Sequence, residues 1–278
     1  DGLRLTRPSR LTTLHSASDA LRVRDWLPLR DARALVLGAG LVGSETASVL
    51  AEYGVAVTLV SASPLPLRAQ LGPEIASALV ARHREAVAIR FGRHVVGVDG
   101  GRDAIRVELD RGEILEADVA VVAYGTVPLR PWFLGTEEGA IPVDGRLRTP
   151  VRGVYAAGGV ASVHDGTSQT RVDHWDDAEA QGRHAARAML HDLAGAPDPG
   201  AHRFLAAFSS RIHGATLSGW GVAGPTTRWH QPVPRIAMSI GTAGGRTTTA
   251  VGLDAAAAVR AARDAEIGAA ATADRTAA

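Results

Sequence analysis

From Arg33 the chain reads RALVLGAGLVGSETASVLAEYGVAVTLV: an unbroken apolar run, then glycines, then apolar residues spaced three and four apart, then a second apolar run. A short run apolar at consecutive positions predicts a strand buried on both faces, as in a parallel sheet. The spacing that follows predicts a helix to about Tyr53, stopped by Gly54, and Ala56 to Val60 closes a strand–helix–strand unit. Pro73 to Glu85 reads as another helix with proline in its first turn, and Ala86 to Phe91 as a third strand. Upstream, Ser16 to Leu29 suits a short amphipathic helix capped by Ser16 or Ser18 and limited by Pro28.

The period then changes. HVVGVDGGRDAIRVELDRGEILEADVAVVAYG alternates apolar and polar positions, with turn signals at Asp99-Gly100-Gly101 and Asp110-Arg111-Gly112, and predicts a β-meander leading into a buried strand, Val119 to Ala123. Pro128, Pro131, Pro142 and Pro150 punctuate an irregular stretch before GVYAAGG, Gly153 to Gly159, which reads as a second buried strand. A helix is expected from about Asp176 to Leu193, and AGAPDPGA as a linker. Beyond it lie strand-like segments around Leu205, Leu217 and Ile236, then TTTAVGLD, an alanine-rich helix from Ala255 and a frayed tail past Ile267.

Composition narrows the function. The 278 residues are 46% hydrophobic, enough for a sizeable core. A formal net charge of +1 predicts no broad attraction to nucleic acid or anionic lipid. The absence of cysteine removes disulfides, thiolate metal sites and redox-active cysteine pairs. No run is long enough to span a bilayer, so the expected location is cytoplasmic, and the missing initiator Met is read as cropping, processing or an incomplete reading frame.

Gly38, Gly40 and Gly43 have the G-x-G-x-x-G spacing of a dinucleotide site: one glycine for a tight turn, one for backbone approach to a pyrophosphate, one for helix-on-strand packing. Gly219 to Gly224 repeats the spacing, but no hydrophobic strand is read before it and a proline follows, so it is expected to be a loop. Ser61 stands where an NAD site carries an acid; it is neutral, and Arg68 is either a surface residue or a partner for a 2′-phosphate. Glu45 is either a favourable helix-end charge or a residue reaching the nicotinamide side. In RVDHWDDAEAQG, Trp175 is either a core anchor or a flat lid for an aromatic cofactor. The histidines show no metal-ligand spacing, and no nucleophilic triad or catalytic carboxylate pair is seen.

Taken in order, LTTLHSASDALRVRDWL, LVLGAGLVGSETA, LGPEIASALVARHREAVAIR, GEILEADVAVVAYGTVP, LRTPVRGVYAAGGVA, RVDHWDDAEAQG, AFSSRIHG and TTTAVGLDAAAAVRAARD resemble the FAD-dependent pyridine nucleotide oxidoreductases, specifically the ferredoxin, rubredoxin and putidaredoxin reductases. The resemblance implies an α/β fold: a Rossmann-like NAD(P)-binding domain at 31–128, flanked by segments of a split FAD domain at 1–30 and 129–195, with a small α+β C-terminal domain at 200–278. It implies electron transfer from NAD(P)H through FAD to a ferredoxin-like iron–sulfur acceptor. Gly38, Gly40, Gly43 and Glu45 would contact NAD(P), Ser61 would face the adenosine ribose, Gly125 would line the nicotinamide cleft, and Trp175 would lie beside the flavin.

Three features depart from the family pattern. Its own N-terminal FAD-binding βαβ unit is missing, Gly159 replaces the Asp that serves the FAD ribityl chain, and His15 and Ser61 replace an expected Arg and an expected acid. Charge-assisted hydrogen bonds contribute about 1.5–3 kcal/mol each, so the chain alone is expected not to hold FAD. Two alternatives to a cropped reductase therefore stand: a non-catalytic nucleotide-binding or interaction module, and one half of a split enzyme whose FAD-binding half is a separate chain.

Overall fold

The computed structural model describes residues 4–6, 9–28, 30–129, 139–164, 169–233 and 235–276, with side chains as far as residue 269. Pro131, in the proline-punctuated stretch, lies outside the described residues.

The early strand–helix–strand reading corresponds to β3 (Arg33–Leu37), α2 (Leu41–Glu52) and β4 (Ala56–Ser61). With β2 (Leu11–Thr12), β5 (Ala88–Phe91) and β9 (Val119–Val122) these strands form a parallel sheet in the order β2-β9-β3-β4-β5. The apolar run is continuous because both faces are covered. Ala34 and Val36 pack with Ala47, Leu59 and Val23 on one side, whereas Leu35 and Leu37 meet Ile105, Val107 and Leu109 on the other. Those last residues belong to the meander β6 (Val95–Gly100), β7 (Ile105–Leu109) and β8 (Ile114–Ala117), which β1 (Arg4–Thr6) joins at its β6 edge. α1 (Ala17–Trp26) starts at Ser16 in a complete capping box with Asp19, and its Val23 enters the core of the parallel sheet. α3 (Arg68–Ala86) is broken at Gly72, whose φ of 78° lets Pro73 open the longer helical stretch.

GVYAAGG is not a ladder strand. Tyr155 makes one isolated antiparallel bridge to Arg148, and Gly158, at φ 81°, turns the chain toward β11. Ala156 is buried, but against the small core of β10 (Ile141–Val143) and β11 (Ala161–His164) rather than between two neighbouring strands. β12 (Gln169–Thr170) completes this sheet, and α4 (Trp175–Ala194) contributes Ala185 to the same core. The linker is held in place: Gly195 ends α4 in the left-handed region, and the Asp198 carboxylate receives the Arg146 guanidinium, at 2.8 Å from Nε.

The C-terminal part is a five-stranded antiparallel sheet, β13 (Ala207–Ile212), β14 (Ala215–Gly221), β15 (Arg228–His230), β16 (Met238–Ala243) and β17 (Arg246–Leu253), in the order β13-β14-β17-β16-β15. α5 (Ala256–Thr276) lies against it, so the chain past Ile267 continues as helix. The second glycine match is loop over Val222 to Gly224, as expected, but begins inside a strand. Gly219 to Gly221 end β14, with Gly219 lying under the Phe208 ring, where a Cβ would be 2.5 Å from ring atoms. The small residues there serve sheet packing, and no helix follows them.

Candidate functional site

Each glycine of the first motif meets a different physical demand. Gly38 follows β3 at φ 109°, and a Cβ there would stand 2.3 Å from the Ala123 carbonyl oxygen. A Cβ on Gly43 would stand 1.9 Å from the Gly38 carbonyl oxygen, so α2 can approach the sheet this closely only without one. Around Gly40 no heavy atom lies within 4 Å of where a Cβ would be. Gly40 is the N-cap of α2 and provides no side-chain cap, and the first backbone N–H groups of a helix have no partner within it. This end of the helix suits an anion that approaches the backbone directly.

The other residues read from the sequence fall around this helix end with differing directness. Ser61 closes β4, beside the strand that leads into Gly38, and Gly38 N–H donates to Val60 O at 2.8 Å. Gly125 follows β9 at φ 95°, next to Tyr124, whose ring lies beside Gly38. Glu45 is half-buried at the fifth helical residue, past the first turn, with no hydrogen-bond or ion-pair partner among the described residues.

α2 is also fixed from behind. Ser48 Oγ accepts the His213 backbone N–H at 2.8 Å, and His83 bridges Ser44 Oγ (3.2 Å) and His213 Nε2 (2.9 Å). Burial, reinforced by the neighbouring His213, pushes His83 down to about 4, so the ring is neutral near pH 7.

A second cluster surrounds Gly159. A Cβ on Gly159 would come within 2.6 Å of Asp173 Oδ1, so the Asp173 carboxylate occupies the space a side chain at 159 would take. That carboxylate is held by Thr126 Oγ1 and by Arg171 Nη2 (3.3 Å), and Arg171 Nε donates to the Gly159 carbonyl at 2.5 Å. Thr126, one residue after Gly125, links this cluster to the first. Trp175 stands at the start of α4, 90% exposed, and so is not a core anchor. Gln181, fully buried, accepts the Gly158 N–H at 2.8 Å and donates to Asp177 Oδ2 at 2.6 Å, which fixes the turn before Gly159.

Asp173, Arg171, Thr126 and Gln181 have no assigned role in the sequence reading. The Asp177–Gln181 spacing of four on a helix signals a side-chain pair. Thr126 and Asp173 lie 47 positions apart, and nothing local in the sequence joins them. Among the described residues no group of three or more His, Asp or Glu side chains is placed to hold a metal, and no helix is long and apolar enough to cross a membrane.

The two clusters fit the nucleotide chemistry unequally. The β3–α2 turn fits a pyrophosphate through bare backbone. The Gly159 cluster has one anchored carboxylate, a group suited to a polyhydroxyl chain.

Residues 8–182 match the family model for pyridine nucleotide-disulphide oxidoreductases. The chain is 32% identical over 188 residues to human apoptosis-inducing factor 3, covering 64% of this chain and 31% of the human protein. It is 28% identical over 218 residues to rubredoxin-NAD(+) reductase of Pseudomonas putida, covering 75% and 54%. Among solved structures, Fdr9 superposes with a TM-score of 0.80 at 29% identity, over 95% of this chain and 68% of that one. Putidaredoxin reductase, in covalent complex with putidaredoxin, shares the fold with a TM-score of 0.75 at 20% identity, over 92% and 62%. The chain thus spans about a third of the length of the human relative and about half that of the bacterial one. The glycine turn, the parallel sheet around it and the matched residues place the chain in the pyridine nucleotide-disulphide oxidoreductase family.

Proposed function

We propose that this chain is the nicotinamide-nucleotide-binding part of a reductase that passes electrons from NAD(P)H, through FAD, to a small ferredoxin-like iron–sulfur protein. The observation that carries this is the β3–α2 turn, where Gly38 and Gly43 exclude side chains by collision while Gly40 leaves the helix end without a side-chain cap. In this reading Gly38, Gly40 and Gly43 hold the pyrophosphate, Ser61 faces the adenosine ribose, and Glu45 and Gly125 border the nicotinamide end. Trp175 and the Asp173 carboxylate over Gly159 face the flavin side, and Thr126 sets the spacing between the two. Bound FAD would supply the chemistry that accepts a hydride and gives up electrons singly. The protein's part is to position and shield the reacting groups. The proposed division is a dinucleotide-binding body over 31–128, FAD-side segments over 1–30 and 129–195, and a C-terminal domain over 200–278.

The test is calorimetric titration of the whole chain with NAD+ and NADP+, together with its visible spectrum after incubation with FAD and desalting. Binding of either dinucleotide at unit stoichiometry is expected, and failure of both to bind overturns the reading. Retained flavin bands would show that the chain's own residues suffice for FAD. A colourless chain assigns flavin binding to a further segment or a partner chain. Gly159 and His15 favour a second reading, a nucleotide-binding module without turnover. Oxidation of NADH or NADPH with a one-electron dye and added FAD would exclude it.

A further inference from the structure

The first turns of α2 are gripped by parts of the chain far from it in sequence. Ser44 N–H donates to Gly40 O at 2.9 Å, so Ser44 closes the helical turn that opens at Gly40. Its buried Oγ lies 3.2 Å from Nε2 of His83 in α3, and His83 Nδ1 lies 2.9 Å from His213 Nε2. One turn further along α2, Ser48 Oγ accepts the His213 N–H at 2.8 Å and donates to Glu52 Oε1 at 3.3 Å. Leu41, the first residue of the helix, packs against the core that α3 shares with the C-terminal sheet. A buried serine inside a helix is a poor choice for stability alone, because it has lower helix propensity than alanine and brings a hydroxyl that needs a partner. Here both hydroxyls have partners, and both connections lead to His213. That residue stands in the two-residue turn between β13 and β14, at φ 47°, with Gly214 following at φ 76°. Glycine would take this conformation with less strain; histidine adds the ring that reaches His83.

We infer that His83 and His213 are positioning residues for dinucleotide binding: through Ser44 and Ser48 they hold the N-terminal end of α2, and so make affinity at the β3–α2 turn depend on the β13–β14 hairpin of the C-terminal sheet. This rests on the proposed dinucleotide site. A site built from backbone N–H groups has no rotamers with which to adjust, so a shift of the helix moves all its donors together. The two serines fix α2 at points one turn apart on one face, which resists both rotation about the helix axis and sliding along it. Ser44 lies a single hydrogen-bonded turn from Gly40, so a loss of its hold is felt where the pyrophosphate would sit. The coupling is reciprocal: a bound dinucleotide, by fixing α2, holds the hairpin in place in turn.

The experiment is calorimetric titration of NAD+ and of NADP+ into the whole chain, in wild type, Ser44→Ala, His213→Ala, the double variant of these two, His83→Ala and His83→Gln, with a urea midpoint for each. S44A removes one hydroxyl and H213A one half-buried ring, so both are expected to stay folded. Each should weaken binding of the tighter coenzyme by at least about fivefold, the size of one net hydrogen bond. The double variant should lose little more than either single one, because both break the same chain of contacts. H83Q, which keeps a donor and an acceptor, should recover most of the affinity that H83A loses. Unchanged affinity in S44A and H213A, with only their midpoints lowered, would show a purely structural pair and overturn the inference. Losses that multiply in the double variant would overturn it as well, and either result leaves the dinucleotide site standing. If neither coenzyme binds wild type, the dinucleotide site itself falls and the inference with it.

Discussion

Gly40 and Gly43 are three residues apart and should answer the same substitution differently. An alanine at 43 forces a Cβ to 1.9 Å from the Gly38 carbonyl, which no rotamer can relieve, so the helix or the turn must move. G43A is expected to destabilise the protein by about 2 kcal/mol or more, read as a fall in the urea midpoint. An alanine at 40 meets nothing in the folded protein and should leave the midpoint nearly unchanged. It does, however, place a methyl group where a pyrophosphate would approach, so G40A should lose dinucleotide binding while remaining folded. If G40A binds as wild type does, the anion does not sit on this turn. At Gly159, restoring the acid common in the family should not restore its effect. The new side chain meets Asp173 at the start, and two carboxylates would compete for Thr126 and Arg171. G159D is therefore expected to lower thermal stability without improving FAD retention, whereas D173N should leave the fold intact, since its carboxylate is 45% exposed.

At the scale of elements, the contact between α2, α3 and the β13–β14 turn passes through His83 and His213. Both rings are held neutral by burial; His83 is 2% exposed and pushed from the ordinary 6.5 to about 4. Ser44 and Ser48 face the pair from α2, with Glu52 and Arg82 as the neighbouring charges, Glu52 favouring protonation of His213 and Arg82 opposing it. A histidine depressed in the folded state is protonated first in the unfolded one. Its contribution is therefore complete above about 6.5 and is lost as pH falls toward 4, by about 3 kcal/mol for His83. Urea midpoints should drop across that window, and H83Q, which keeps polar groups without titrating, should flatten the drop. This pairing is not legible in the sequence, because His83 and His213 are 130 positions apart. β3, β4 and β9 are legible because each strand reports its own two-sided burial. GVYAAGG has a similar composition but is no ladder strand: hydrophobicity signals burial, while a ladder also needs a neighbouring strand, which no local pattern encodes. The Gly219 match misleads for a related reason, since spacing alone does not separate backbone approach to a ligand from ring packing on a sheet.

For the whole molecule, the distribution of apolar cores sets which parts hold together. Leu71, Ile75 and Leu79 of α3 share one core with Ile212, Leu217 and Leu253 of the C-terminal sheet. The body built on the parallel sheet and the C-terminal sheet are thereby bound through buried side chains, and they should unfold together. The β10–β12 sheet has a separate core, Ile141, Val143, Leu147, Ala161 and Val163 with Ala185 of α4, built on strands of two to four residues. Its links to the rest include polar ones: Thr126 Oγ1 bonds the Asp173 carboxylate and accepts from Arg171 Nη2 at 2.9 Å. A small core joined through polar contacts opens at lower free energy than a large one joined through apolar packing. Native-state hydrogen exchange should therefore resolve two units: the amides of Val143 and Val163 exchanging together through a partial opening, and those of Val36, Leu59 and Leu217 only through global unfolding. A saturating dinucleotide bound at the β3–α2 turn should raise protection throughout the second unit, because binding stabilises whatever must be folded to form the site. Protection rising equally in β10 and β11 would mean that both halves of the cleft form one cooperative body. Protection confined to the second unit would mean that the β10–β12 sheet moves independently of the body that carries the β3–α2 turn, so that Thr126 acts as a hinge contact between them rather than a rigid tie.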